Sequence, residues 1–280
     1  MAKYINIKGK LYDLSVPKVM AILNFTPDSF YEKSRFRPDN QVLKSQIEEI
    51  VLNGAEILDI GGYSTRPGAT SVSVEEEIIR TIPIIEFIKS NFPEIIVSID
   101  TFRGEVAQKA VENGADIIND VSGGLFDKKM LTTVAVLNVP YILMHNRGNV
   151  ETMHHKSEYQ NVVLDVIKEL QIQVLKLKNL GVRDIIIDPG FGFSKNVAQN
   201  FEILANLEKF EILDCPILAG LSRKSMIWRT LNTTADFALN GTTALNMIAL
   251  QKGANVLRVH DAKEATECVQ LFEKTKPYFE

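Results

Sequence analysis

The sequence predicts an α/β fold, and within that class a TIM (β/α)8 barrel that begins with a short N-terminal hairpin. Short apolar runs alternate with longer amphipathic stretches, this alternation occurs eight times, and glycines often separate an amphipathic stretch from the next run. Eight such units in 280 residues are typical of a TIM barrel. A doubly wound open sheet is the alternative, and the number of repeats favours the barrel.

The eight apolar runs predict parallel strands. Each is almost continuously aliphatic or β-branched, as expected for strands that are buried on both faces. The runs are residues 18–24, 55–60, 95–100, 116–120, 139–144, 184–188, 216–221 and 254–260. The segment before Lys18 is short enough to form a hairpin that closes the barrel floor. We find no linker, and we expect residues 1–280 to form a single domain.

The stretches between these runs predict helices. Ser73 and Glu76 are spaced as in a capping box, and Pro83 is expected to bend the helix that they begin or to delay its first turn. Residues 162–180 form a long amphipathic pattern. Residues 235–250 are unusually apolar, which fits either burial against the barrel or a subunit interface.

Composition indicates which kinds of partner the protein lacks and in which cellular compartment it works. The net charge is −4 and the basic residues form no stripe, so we expect no nucleic-acid partner. No run approaches the roughly 18 apolar residues of a membrane span, and residues 1–13 lack the apolar core of a signal peptide. Cys215 and Cys268 are isolated, which is typical of reduced, buried thiols. We therefore expect a cytoplasmic protein without a membrane partner.

Polar residues follow all eight predicted strands. In a TIM barrel the active site lies at the carboxyl ends of the strands, so these residues are the candidates for ligand binding. A single Asp or Asn after a strand is usually a turn residue, but eight ends of this kind favour a binding site. They are Asn24, residues 61–68, Asp100, Asn119 with Asp120, His145, Asp188, residues 222–225, and Arg258 with His260.

Some of these residues predict an anion site. Arg66, Arg258 and His260 are cationic or can become so, and Asn24 and Thr65 are polar neighbours. The last two βα loops of a TIM barrel often bind phosphate, and the arginine fork donates two hydrogen bonds at once. The alternative for Arg66 is a solvated loop arginine.

Others predict a site for a flat heterocycle. Asp100, Asn119 and Asp188 offer acceptors, and Lys224 offers donors, as a ring with N–H groups and a carbonyl requires. The alternative is that Asp100 or Asp188 forms a salt bridge with Lys224. The sequence lacks the motifs of several other kinds of site. Residues 188–195 match neither a P-loop nor a dinucleotide fingerprint, and His154 and His155 lack the spacing of zinc ligands. No serine lies in a GxSxG elbow. Covalent catalysis is therefore not indicated.

The strand-end segments also resemble the motifs of a known family, the dihydropteroate synthases. The similar segments are residues 20–30, 59–69, 98–101, 118–123, 144–148, 188–193, 222–225 and 258–261. The resemblance implies a TIM barrel and an Mg²⁺-dependent transferase of folate biosynthesis. This enzyme condenses 6-hydroxymethyl-7,8-dihydropterin diphosphate with p-aminobenzoate and releases diphosphate. It also implies a homodimer.

The resemblance implies a role for each matching residue. Asp100, Asn119, Asp188 and Lys224 would bind the pterin ring, with Phe193 packing nearby. Thr65, Arg66, Arg258 and His260 would contact the diphosphate, and Asn24 would also hold Mg²⁺. Phe30, Pro67 and Ser225 would bind p-aminobenzoate. Asp100, Lys224 and Arg258 would act in catalysis.

Two other functions remain open at this point. A methyltransferase of the same barrel type, acting between a methylated folate and a corrinoid protein, would share the ring-binding residues. A non-catalytic pterin-binding protein would need no diphosphate clamp. The chain departs from the family pattern at residues 31–35 of the lid loop, at Tyr63, where many members have Glu, and at Ser194, where Gly is usual.

Overall fold

Eight parallel strands form a barrel in a computed structural model that describes residues 3–24, 40–63, 72–148 and 157–278. The sheet has the order β8-β7-β6-β5-β4-β3-β10-β9. The backbone N–H of Ile187 donates to the carbonyl of Pro216 at 2.9 Å, and this contact brings β8 to β9. The strands of the barrel are β3 Lys18–Asn24, β4 Ile57–Gly61, β5 Ile96–Asp100, β6 Ile117–Asp120, β7 Tyr141–Met144, β8 Ile185–Asp188, β9 Leu218–Ala219 and β10 Val256–Val259. The predicted TIM barrel is confirmed.

The strands are mostly shorter at their amino ends than the apolar runs predict. The largest difference is β9, which contains two residues of the predicted 216–221. Pro216 has no N–H to donate, and the N–H of Ile217 donates to the side chain of Asn255 at 3.0 Å rather than to a neighbouring strand. The strand therefore donates no regular backbone hydrogen bonds at residues 216 and 217, although its side chains are buried as predicted.

Helices follow the strands on the outside of the barrel. Those in the described ranges are α1 Asn40–Leu52, α2 Val74–Asn91, α3 Gly104–Glu112, α4 Met130–Leu137, α5 Val162–Asn179, α6 Val197–Ala205, α7 Ser225–Thr230, α8 Leu239–Gln251 and α9 Ala262–Thr275. Ser73 caps α2 by accepting the N–H of Glu76 at 3.1 Å, and α2 continues through Pro83 without a later start. The predicted helix 235–250 is divided into a 3-10 turn, Ala235–Phe237, and α8.

An apolar layer fills the barrel floor. The antiparallel hairpin of β1 Tyr4–Ile7 and β2 Lys10–Asp13 presses Ile5 and Leu14 onto it, which confirms the predicted role of the hairpin. Each barrel strand contributes one side chain to this layer: Met20, Ile57, Ile96, Ile117, Ile142, Ile186, Leu218 and Val256. Alternate residues of a strand share a face, so the positions two residues further along also point inward. Several of those are polar: Asp59, Ser98, Asn119, Asp188 and Arg258.

Both cysteines are buried free thiols, as the sequence predicts. No helix in the described part of the chain is both long and apolar enough to cross a membrane.

Candidate active site

An arginine bridges two carboxylates at the barrel mouth. Arg258 on β10 donates from Nε to Oδ2 of Asp59 and from Nη2 to Oδ2 of Asp100, both at 2.6 Å. Asn119 on β6 donates from Nδ2 to the same Asp59 oxygen at 3.0 Å. The side chains are 0% exposed for Asp59, 22% for Arg258 and 24% for Asp100, so the cluster opens toward the mouth. The structure thus brings Asp100 and Asn119, predicted for the heterocycle site, together with Arg258, predicted for the anion site.

Asp59 is a member of this cluster that the sequence reasoning assigned no role. Its Oδ1 is buried and has no hydrogen-bond partner among the described residues. The signal that could have found it is the alternation along β4, because Asp59 lies two residues after Ile57 of the floor layer. A buried carboxylate that keeps one acceptor unused is a place where a ligand N–H can bind.

The cluster shifts the pKa values of its charged members. Burial raises the pKa of Asp100 to about 7, against the opposing charge of Arg258 and with help from the carboxylate of Asp59. Burial alone would lower the pKa of Arg258, but Asp59 and Asp100 outweigh it and raise that pKa further above its usual range. The arginine therefore remains charged while Asp100 is close to its titration point at neutral pH.

A second group of predicted residues follows β8 and β9, and β9 is the neighbour of β10 in the sheet. Lys224 donates from Nζ to the carbonyl of Phe191, and the same nitrogen lies 4.8 Å from the centre of the Phe193 ring. Asp188, at the end of β8, accepts the N–H of Gly190 at 2.7 Å. The alternative of an ion pair between Lys224 and either Asp100 or Asp188 does not form: Asp100 pairs with Arg258, Asp188 accepts a backbone N–H, and Lys224 donates to a carbonyl.

Electrostatics nevertheless join the two groups. Burial lowers the pKa of Lys224 to about 8, and the charge of Arg258 contributes, whereas Asp188 and Asp100 oppose the shift. Burial also raises the pKa of Asp188, against the charge of Lys224. These mutual effects mean that the four groups share one low-dielectric region.

The turn after β8 depends on a glycine. Gly190 has a φ of 74°, and a Cβ there would overlap the backbone carbonyl oxygen of His145. The turn lies against the end of β7, where His145 follows the strand, and its residues 191 and 193 face Lys224.

The end of β10 carries the predicted anion-binding histidine. His260 has its Nδ1 at 3.0 Å from Oγ of Ser222, and its backbone N–H donates to that oxygen at 3.2 Å. Because the hydroxyl accepts the backbone N–H, its own hydrogen is available to Nδ1. Arg223 makes a bidentate pair with Asp261, at 2.9 and 2.8 Å, and ties the ends of β9 and β10 together.

Other predicted strand-end residues support the backbone. Asp120 accepts the N–H groups of Ser122 at 2.7 Å and Gly124 at 2.8 Å and the hydroxyl of Tyr141 at 2.7 Å, so it organises a turn. It alternates with Asn119 along β6, and only Asn119 points inward. Ser225 is the first residue of α7.

Several predicted positions lie outside the described residues. These are Phe30, Thr65, Arg66 and Pro67, the lid segment 31–35, and His154 and His155. The backbone of Asn24 ends β3 beside Gly61 of β4, so it reaches the same edge of the barrel, but its side chain is not described.

The family model for pterin binding enzymes matches residues 20–260. Dihydropteroate synthase of Clostridium beijerinckii is 44% identical over 273 residues, which is 96% of each chain. This chain belongs to the dihydropteroate synthase family.

Solved structures of the family have the same fold. The Xanthomonas albilineans dihydropteroate synthase with 4-aminobenzoic acid superposes with a TM-score of 0.89, at 36% identity and with 99% of both chains covered. The X. albilineans enzyme in complex with 7,8-dihydropteroate superposes with a TM-score of 0.85, at 33% identity and with 98% of both chains covered. The family relation therefore extends over the strand ends that form the candidate site.

Proposed function

We propose that this protein is a dihydropteroate synthase. It condenses 6-hydroxymethyl-7,8-dihydropterin diphosphate with p-aminobenzoate to give 7,8-dihydropteroate and diphosphate. The observation that carries the proposal is the group of Asp100, Asn119, Asp188 and Lys224 at the mouth of a barrel whose floor is apolar. Family membership and the relatives' names support the same reaction.

The pterin ring fits the polarity of this group. A pterin presents N–H donors on one edge and a carbonyl on another, and the group offers carboxylate and amide oxygens beside an ammonium. Asp188 and Asn119 accept ring N–H groups, Lys224 donates to the ring carbonyl, and Phe193 packs on the ring. The unpaired Oδ1 of Asp59 adds one acceptor at the bottom of the same site.

The reaction is a substitution at the pterin methylene. The C–O bond to diphosphate breaks, positive charge develops on the methylene and ring, and the carboxylate of Asp100 stabilises it. The arylamine is neutral at pH 7, so it attacks without a strong base and loses its proton after the C–N bond forms. No covalent intermediate with the enzyme is needed.

The departing diphosphate needs positive charge. Arg258 and His260 lie at the end of β10, and Thr65 and Arg66 belong to the loop after β4, so together they form the diphosphate site of the proposal. Ser225, at the start of α7, receives the carboxylate of p-aminobenzoate in this proposal, and Phe30 and Pro67 are the residues that the family resemblance assigns to its ring.

Mg²⁺ is the cofactor of the proposal. The described residues contain no group of three His, Cys, Asp or Glu side chains that could hold a metal ion. An Mg²⁺ ion held mainly by diphosphate and water would need few protein ligands. Asn24 would supply the protein oxygen, and the bound ion would neutralise charge on the leaving group.

A homodimer in the cytoplasm completes the proposal. Large apolar side chains are exposed near α8: Phe237 is 78% exposed, Leu231 53% and Ile248 38%. A second copy of the chain would cover this surface. Light scattering that gives the monomer mass of 31.4 kDa would contradict the dimer. The buried thiols fit a reducing compartment.

The test of the function is pyrophosphate release from the pterin diphosphate, with and without p-aminobenzoate and Mg²⁺. We expect release that requires Mg²⁺ and yields dihydropteroate, and a loss of about 100-fold in Asp100→Asn, because one stabilising charge is removed. Asp184→Asn is the matched control, since Asp184 lies before β8 at the other end of the barrel and accepts the N–H of Asn6. Binding of the pterin without release would contradict the synthase and favour methyl transfer or simple binding.

A further inference from the structure

A buried lysine behind the pterin site uses all three of its hydrogens. Lys195 follows the turn after β8, and its Nζ lies 3.0 Å from Nδ1 of His145, 3.1 Å from the carbonyl of Gly190 and 3.0 Å from the carbonyl of Phe193. A lysine ammonium has three donors and no acceptor, so these three contacts match its full capacity. The side chain is buried, and such a charge is retained only where every donor is satisfied.

His145 must be neutral for this arrangement to form. Its Nδ1 accepts from Lys195, so the ring proton lies on Nε2, which is 3.1 Å from Oε2 of Glu169. Burial and the nearby charge of Lys195 together lower the pKa of His145 to about 4, against the effect of Glu169. Glu169 is in turn held by Arg147, so the chain of contacts runs from the surface to the turn.

The turn connects Lys195 to the ring site. Lys195 binds the carbonyls of Gly190 and Phe193, and between them lies Phe191, whose carbonyl accepts the ammonium of Lys224. The ring of Phe193 faces Lys224 from the same turn. Phe193 is therefore part of a backbone segment that Lys195 holds from behind, and Lys224 donates a hydrogen bond to that segment.

We propose that Lys195 is a positioning residue for the pterin ring, acting through the turn 190–193 and requiring neutral His145 as its third acceptor. The proposal rests on the proposed function. Lys195 has no direct contact with substrate in this scheme. Without its ammonium, two carbonyls and one imidazole nitrogen lose their donor in a buried place, and the turn relaxes away from Lys224.

Loss of a proton from Lys195 limits this role at high pH. Burial lowers the pKa of Lys195 to about 7, with Lys224 and Arg147 acting in the same direction and Asp188 and Glu169 against it. The neutral amine has two hydrogens, so one of the three acceptors loses its donor. Pterin binding should therefore weaken as pH rises above about 7, and this component should be absent in Lys195→Met.

The decisive variant is Lys195→Met, which keeps the length of the side chain and removes the ammonium. We expect KM for the pterin diphosphate, and the dissociation constant of 6-hydroxymethyl-7,8-dihydropterin by calorimetry, to rise about tenfold or more. Turnover at saturation and KM for p-aminobenzoate should stay close to wild type. Lys89→Met is the control: Lys89 binds Asp116 and the Ile95 carbonyl at the barrel floor, so it should lower the melting temperature without changing pterin affinity.

A pair of His145 variants tests the acceptor. His145→Asn keeps an oxygen or nitrogen near the position of Nδ1 and should retain most of the pterin affinity, whereas His145→Leu removes the acceptor and should behave like Lys195→Met. If Lys195→Met does not fold, this pair decides the matter. A Lys195→Met protein with wild-type pterin affinity, or equal losses in His145→Asn and His145→Leu, would overturn the inference. Calorimetry with the pterin alone keeps this test independent of whether pyrophosphate is released.

Discussion

Two ionisable residues of the site, Asp100 and Lys224, titrate close to neutral pH. The pKa of Asp100 is raised to about 7, so its carboxylate forms as pH rises through 7. The pKa of Lys224 is lowered to about 8, so its charge is lost as pH rises through 8. Both shifts have burial as their largest cause, which means that solvent entering the site would reduce them.

The pH profile of kcat/KM for the pterin diphosphate should therefore be a narrow bell. Activity should rise up to about pH 7 as Asp100 deprotonates and fall above that pH, first as Lys195 and then as Lys224 loses its proton. In Asp100→Asn the residual activity should lack the rising limb. Steady-state rates between pH 5.5 and 9.5, on the order of one measurement per half unit, would show both limbs. A rising limb that persists in Asp100→Asn would contradict the assignment, and Asp184→Asn should keep the wild-type profile.

At this scale the sequence identifies candidate residues but not their partners. The alternation along a strand is local, so the inward positions of Asp100, Asn119, Asp188 and Arg258 follow from the apolar runs. The partner of Arg258 does not, because Asp59 is 199 residues away along the chain and Asp100 is 158. A buried charge needs an opposite charge from a neighbouring strand. Which strands become neighbours depends on how the barrel closes, and local sequence does not determine that.

The turn after β8 shows how one element accommodates an unfavourable residue. Ser194 has a φ of 51°, a left-handed conformation that favours glycine, and glycine is the usual family residue there. Its Oγ accepts the N–H of Arg147 at 2.9 Å and lies 2.9 Å from Oδ1 of Asn146 and 2.8 Å from the carbonyl of Arg147. These contacts join the turn to the segment after β7 and offset the cost of the backbone.

The order of stability among Ser194 variants follows from these two effects. Ser194→Ala should lower the free energy of unfolding by about 1–3 kcal/mol, because it loses the hydrogen bonds and keeps the left-handed backbone. Ser194→Gly loses the same bonds but relieves a backbone cost of roughly 1–2 kcal/mol, so it should be closer to wild type. Urea unfolding of the three proteins would measure both changes. A glycine variant less stable than the alanine variant would show that backbone conformation is not the difference.

Elements were predicted well where one local signal decided them. Ser73 fixes the start of α2 through a side-chain cap, and the strand β3 has the bounds that its apolar run predicts. The division between Ala235–Phe237 and α8 was not predictable, since both parts are apolar. Arg223 donates to the carbonyls of Ala235 and Asp236 and so holds the 3-10 turn from a distant segment.

The whole barrel depends on its N-terminal hairpin as a plug. Ile5 is buried against the floor layer, whereas Leu11 on the same hairpin is 75% exposed. Ile5→Ala should lower the free energy of unfolding by about 2–5 kcal/mol, because it leaves a cavity beside eight close-packed strands. Leu11→Ala is the control, with a change of about 0.5 kcal/mol or less. Thermal and denaturant unfolding would measure both, and equal effects would contradict a plug.

The apolar floor closes one end of the barrel, so ligands enter and leave at the carboxyl ends of the strands. A molecule that settles on the polar layer above Met20 and its neighbours cannot leave through the base, because aliphatic side chains and the hairpin close it. Whatever binds nearer the rim then covers what lies deeper. Binding and release are therefore ordered. The deepest ligand must bind before the others and leave after them, or leave covalently joined to one of them.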